Sequence, residues 1–326
     1  MASIAQRGVG AIVGTLVADA ASAPLHWIYD TEKMRTILEE NPSPAFLPKS
    51  YGTFYSIPTG RNTCYGEQMF TLLKSICDNK GINVAEYKKS LLEKFGPKSD
   101  YEVNLGHPIT KADYPINGPW RHNSIKVFIK NYEDKQEKTG AEDDPQSDGF
   151  SKVAPVVALH AGNTSKMLES LEQVIRVTQE DPMAVKCSLA AARVLEKCIL
   201  GNSIKESIED AGAESGDPEV KGYIKKVLDA RSTDHITFVK GNGSSCRVPG
   251  NFMNALHCML QSDGNFKATF ETTLPPGGCN CSRLCFVGAC LGAVYGLESI
   301  PSDWIDKTNV GRESVKLAQQ LVGLRK

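Results

Sequence analysis

A chain of 326 residues with 41% hydrophobic side chains can bury a substantial core. Its 37 basic and 38 acidic residues nearly cancel and are scattered, so neither nucleic acid nor an anionic membrane is expected as a partner. Ten cysteines fall largely within helical patterns of a long chain, which predicts reduced, buried thiols rather than a disulfide framework. No long apolar run precedes the first small-residue helix and no later window is apolar enough for a membrane span, so a cytosolic protein is expected.

In chain order, Gly10-Ala11-Ile12-Val13-Gly14-Thr15-Leu16-Val17-Ala18-Asp19-Ala20 predicts a deeply packed helix of small residues carrying one acid near its end. Three segments read as irregular: residues 41 to 65 and 97 to 119, both punctuated by proline, and a charged loop over 133 to 148. Leu168, Leu171, Val174 and Ile175, then Val185, Leu189, Ala192, Leu195, Cys198 and Ile199, recur at three and four and mark two helices. Asp181-Pro182 caps the second, Gly201-Asn202-Ser203 closes it and opens the next, and Gly216-Asp217-Pro218 repeats the device. Ile236-Thr237-Phe238-Val239 is too short to weigh as a strand, and no alternating pattern or internal repeat is evident. No segment is long and polar enough to separate two cores. The expectation is a single all-α domain over residues 1–326.

The most informative stretch is Pro275-Pro276-Gly277-Gly278-Cys279-Asn280-Cys281-Ser282-Arg283, a sharp turn that feeds a helix of small residues. Such a corner holds helix N-terminal side chains rigidly beside a pocket. It resembles the C-terminal signature of the ADP-ribosylglycohydrolase family, Gly-Gly-Asp-Thr-Asp-Ser/Thr followed by an Ala/Gly helix. The Gly10–Ala20 segment is similar to the family's opening helix, with Asp19 retained. Ser147-Asp148-Gly149-Phe150-Ser151-Lys152-Val153-Ala154-Pro155 is similar to a central helix start in which Lys152 replaces an arginine. Ala23-Pro24-Leu25-His26-Trp27-Ile28-Tyr29-Asp30 and Cys246-Arg247-Val248-Pro249-Gly250-Asn251-Phe252 resemble one branch of the family, the J-type lens crystallins.

The resemblance implies an all-α ADP-ribosylglycohydrolase-like domain and a binuclear magnesium site joining the C-terminal turn to an N-terminal Thr-Asp-Asp-Thr-Gln-Met motif. The matching segment here is Cys64-Tyr65-Gly66-Glu67-Gln68-Met69. Its two carboxylates become Tyr65 and Gly66, with Glu67 one position late, and those of the C-terminal turn become Cys279 and Cys281. Magnesium requires hard oxygen ligands, so it is expected to be lost and no catalytic residue is assigned. What is left is a vestigial cleft of Asp19, Cys64, Tyr65, Gly66, Glu67, Cys279, Asn280, Cys281 and Ser282.

The branch implies a soluble, refractive protein of lens-cell cytoplasm, monomeric, with itself as the partner at high concentration. Alternatives stay open. Cys64, Cys279 and Cys281 are a conceivable thiolate set for zinc. Cys279 or Cys281 at a helix N-terminus is a conceivable nucleophile, with His257 or His26 as base. An active hydrolase with an altered metal site, or a non-catalytic module that still holds ADP-ribose, also fits the letters.

Overall fold

The computed structural model describes residues 2–262 and 264–325. The first five helices are α1 (Ile4–Ser22), α2 (Thr31–Glu40), α3 (Cys64–Asp78), α4 (Val84–Phe95) and α5 (Asn123–Glu133), and long loops separate several of them. Then α6 (Ala154–His160), α7 (Thr164–Arg176), α8 (Pro182–Leu200), α9 (Ile204–Glu214) and α10 (Pro218–Asp229) follow in close succession. The chain ends with α11 (His235–Asn242), α12 (Gly250–Leu260), α13 (Phe266–Thr273), α14 (Asn280–Tyr295), α15 (Ser302–Lys307) and α16 (Gly311–Val322). The fold is all-α, as expected, apart from two short strands.

The local signals act where they were read. Asp181 accepts from the amides of Met183 and Ala184 at the start of α8, Gly201 ends that helix at φ 111°, and Ser203 forms a reciprocal capping box with Glu206 at the start of α9. Asp217 caps α10 in the same way. The Ile236–Val239 run belongs to a helix, α11, because Asp234 caps it by accepting from the Thr237 amide.

Two glycine pairs bring α1 and α14 into backbone contact. A Cβ at Gly10 would run into the carbonyl oxygen of Gly292, and one at Gly14 into that of Gly288. The pairing is antiparallel, so the C-terminal end of α1 lies beside the N-terminal end of α14. Helix axes approach this closely only where no side chain intervenes. The segment Ile4–Leu25 is long and apolar enough by composition to cross a membrane, which the sequence reading overlooked, but its apolar window is wholly buried inside the protein.

Two of the segments read as irregular meet each other. Strand β1 (Tyr55–Ser56) pairs in parallel with β2 (Ile116–Asn117), placing Tyr55 beside Ile116. A small second core forms under this pairing from Ala23, Trp27, Tyr55, Tyr65, Ile116, Cys279, Cys281 and Cys285, beside the main core of the helical body. Nine of the ten cysteines are buried and all are free thiols.

Candidate functional site

Three helix ends converge on this second core. Asp19, in the last turn of α1, is buried and pins the start of α3: its carboxylate accepts from the Thr63 amide at 2.8 Å, the Thr63 hydroxyl at 2.6 Å and Asn62 Nδ2 at 2.9 Å. Burial raises this carboxyl above its ordinary range, against the Thr63 and Asn62 donors that favour its charge. Next on α3, Gly66 lies so close that a Cβ would collide with Asp19 Oδ2 and Asn62 Nδ2, so a side chain at position 66 would displace the Asp19–Asn62 contact.

Tyr65 is buried, and its hydroxyl lies 3.3 Å from Cys279 Sγ at the N-cap of α14. Cys279 Sγ is also 2.9 Å from Ser282 Oγ. Burial opposes ionisation of Cys279, yet the neighbouring Cys246 thiol, the His26 ring and Ser282 outweigh it and hold this thiol below its ordinary range. Cys281 behaves oppositely: burial and the Asp19 carboxylate push it up, and its sulfur packs 3.2 Å from Ser22 Oγ. Asn280 is buried and bonds Leu25 O through Nδ2 at 3.3 Å and Arg283 through its side-chain oxygen at 2.5 Å.

Arg283 explains why the Pro275–Ser282 turn is so well held. Its guanidinium is fully buried and donates to Gly277 O at 2.6 Å, Asn280 Oδ1 at 2.5 Å, and Ser244 O and Asn251 Oδ1 at 3.3 Å. The turn is therefore hung on a planar fork that links it to α12 and to the loop before it.

The predicted cleft residues do not all converge. Asp19, Tyr65, Gly66, Cys279, Asn280, Cys281 and Ser282 lie around the helix ends. Glu67 faces the other way: it binds Arg61 Nε at 3.0 Å and Lys94 Nζ at 3.1 Å on the wall of a separate cavity. Cys64 turns towards Gln68, whose Nε2 is 3.6 Å away. Among the described residues no three His, Cys, Asp or Glu side chains are grouped to hold a metal ion. Of the two candidate bases, His26 Nδ1 accepts from the Cys281 amide at 3.2 Å, while His257 is engaged elsewhere with His235 and the Ala230 carbonyl.

Above the second core a cavity of about 240 Å³ opens between Trp27, Phe54, Tyr65, Trp120, His122, Asp144, Asp148 and Cys246. The segment 133 to 148, read as a charged loop, turns inward at its end: both Asp144 and Asp148 are buried. Asp148 Oδ1 accepts from Gln68 Nε2 and His122 Nδ1, each at 2.6 Å, and from Ser124 Oγ at 3.0 Å. Burial works against its charge, but His122, Lys152 and Gln68 prevail and hold it down to about 2. Burial opposes the His122 cation too, and the contact with Asp148 keeps it charged regardless. Lys152 is wholly buried and donates to Gln68 Oε1 at 2.9 Å and Thr178 Oγ1 at 2.7 Å; burial lowers it to about 8. The motif around Asp148 and Lys152 and the cleft residue Tyr65 were visible in the sequence, but Trp27, Phe54, Trp120 and Asp144 were missed as site residues. They come from separate loops with no shared pattern.

An all-α scaffold that gathers helix ends under a pocket defines the class, and the comparisons agree. The chain belongs to the ADP-ribosylglycohydrolase family, whose model matches residues 1–326. It is 35% identical to Crystallin J1A of Tripedalia cystophora, over 98% of this chain and 97% of that one. Crystallin J1B of the same animal is 32% identical over 99% and 98%. An ADP-ribosyl-dinitrogen reductase glycohydrolase of Rhodospirillum rubrum is 21% identical over 99% of this chain and 97% of its own. Among solved structures, an ADP-ribosylglycohydrolase-related protein complex superposes with a TM-score of 0.69 over the whole of both chains at 16% identity, a likeness of fold.

Proposed function

We propose that this chain is a J-type crystallin, a refractive structural protein of lens-cell cytoplasm, built on a glycohydrolase scaffold that no longer holds magnesium or catalyses hydrolysis. The observation that carries this is the Tyr65–Cys279 contact. The two halves of the metal site implied by the family meet, but through a phenol and a thiol 3.3 Å apart, with Gly66 and Cys281 at the other two carboxylate positions. Neither a neutral phenol nor a soft thiol offsets the cost of stripping water from magnesium. Asp19, the one acid retained, has its oxygens occupied by donors from Asn62 and Thr63. Cys64, Cys279 and Cys281 turn to different partners, Gln68 for the first, Tyr65 and Ser282 for the second and Ser22 for the third, which supports the absence of zinc as well.

The names of the two crystallin relatives support the lens role. A monomer suits the few large apolar side chains left exposed among the described residues. The test is incubation with ADP-ribosyl-arginine and with ADP-ribosylated protein in the presence of magnesium, alongside magnesium titration by calorimetry. The expected result is no released ADP-ribose and no magnesium heat; turnover that stops on chelation would overturn the reading.

A further inference from the structure

The cavity over the second core is walled by aromatic rings set at right angles. Trp27 meets Phe54 at 5.6 Å and 82° and Trp120 at 5.8 Å and 88°, and Phe54 meets Trp120 at 6.1 Å and 75°. Tyr65 lines the same space. Trp27 is held there at a cost: its φ of 57° lies in the left-handed region, fixed by hydrogen bonds from its amide to Gly278 O and from the Gly278 amide to Ile28 O. Its indole N–H has no hydrogen-bond partner among the described residues.

The charge at the cavity's edge does not cancel. His122 is committed to Asp148 at 2.6 Å. Asp144 is buried, and among the described residues its carboxylate receives only two long amide bonds, from Asn123 Nδ2 and Gln179 Nε2, each at 3.3 Å, while its backbone carbonyl accepts from Gln179 Nε2 and the Gln146 amide. No ion pair reaches it among the described residues. Burial, together with the neighbouring Asp148 carboxylate, raises this carboxyl to about 6, and the attraction of His122 and the two long amide bonds offset that only in part. Ring faces carry negative potential, so adjacent aromatic walls beside an underpaired carboxylate favour a compact, weakly hydrated cation. Lys126 already exploits one wall from a neighbouring cavity, with Nζ 5.6 Å from the Trp120 centroid.

We propose that this aromatic box is a binding site for a small methylated ammonium compound of choline's size, with Trp27, Phe54 and Trp120 as its walls and Asp144 as its counter-charge. The site goes beyond the lens reading and does not depend on it, since it uses no metal and no hydrolytic step.

The experiment is titration of the full chain with choline chloride, followed by tryptophan fluorescence and by calorimetry. Two of the three tryptophans, Trp27 and Trp120, report on the box. The control ligand is dimethylbutanol, in which carbon replaces the ammonium nitrogen. Choline is expected to saturate at millimolar concentration and to bind at least about tenfold more tightly than the neutral isostere. Phe54→Leu and Asp144→Asn, each keeping volume or shape, are each expected to weaken choline by roughly three- to thirtyfold. Equal binding of the two ligands, no saturation below roughly 100 mM, or choline affinity unchanged in both variants overturns the proposal.

Discussion

Tyr65 Oη lies 3.3 Å from Cys279 Sγ, and the two residues are 214 positions apart in the chain. The phenol covers a thiol that Cys246, His26 and Ser282 hold below its ordinary range against its burial. Reactivity at Cys279 is therefore limited by access. Tyr65→Ala is expected to raise its alkylation by iodoacetamide at least about tenfold over the native chain, since the thiolate is the nucleophile. Peptide mapping after timed labelling reads this directly; an unchanged rate at Cys279 would show that Tyr65 is not the cover.

Restoring acids to the C-terminal turn is not expected to restore a metal site. Cys279→Asp with Cys281→Asp places two carboxylates in a fully buried space beside Asp19, where the nearby Arg283 guanidinium is already engaged by Gly277 O and Asn280 Oδ1. The expected cost is about 3–5 kcal/mol of stability, seen in chemical denaturation, with no rise in Tm on adding magnesium. A magnesium-dependent increase in Tm would mean that the cleft still assembles an ion site.

Arg283 is the brace of the turn, and its partners are carbonyl and amide oxygens. Arg283→Met keeps most of the volume but strands Gly277 O and Asn280 Oδ1 in the core, for an expected loss of about 3 kcal/mol. Arg283→Lys is expected to recover little of this, because one ammonium cannot span acceptors that the planar fork reaches together. Equilibrium unfolding of the two variants checks both statements.

The buried pair His235 and His257 gives the fold an acid-sensitive element. Their Nδ1 atoms lie 3.1 Å apart, and His257 Nε2 meets Ala230 O at 3.0 Å, so His235 Nδ1–H donates to a neutral His257. Burial, with the nearby Arg283 and His257, lowers His235 to about 3. A depressed folded-state value means that the unfolded chain takes up the proton first. The stability this neutral histidine preserves is present above pH 6.5 and is lost as pH falls towards 3. Relative to His235→Phe, the native chain is expected to lose about 2 kcal/mol between roughly pH 7.5 and pH 5. Parallel stability curves for the two proteins would refute the assignment.

Much of the helical framework was legible because caps are local. Asp181, Gly201, Ser203 and Asp217 act on amides and carbonyls within a few residues, so their letters suffice. Segments 41 to 65 and 97 to 119 were not legible in the same way. Their parallel pairing is two residues long, too short to leave a period in either segment. The loop ending at Asp148 read only as a charged loop because its composition is polar. Its burial depends on donors from Gln68, His122 and Ser124, which only the folded chain brings together.

By itself the sequence determined the family, the all-α class and the replacement of acids in both halves of the implied metal site. Those are properties of residue identity at recognisable positions. Tertiary structure alone decided that Glu67 turns away to Arg61 and Lys94, that Gly66 packs directly against the Asp19 carboxylate, that Tyr65 closes over Cys279, and that Trp27, Phe54 and Trp120 form a box beside Asp144. Each of these depends on which way a side chain points once α1 and α14 have met backbone to backbone. That packing is set by glycine pairs nearly three hundred residues apart, beyond the reach of any local pattern.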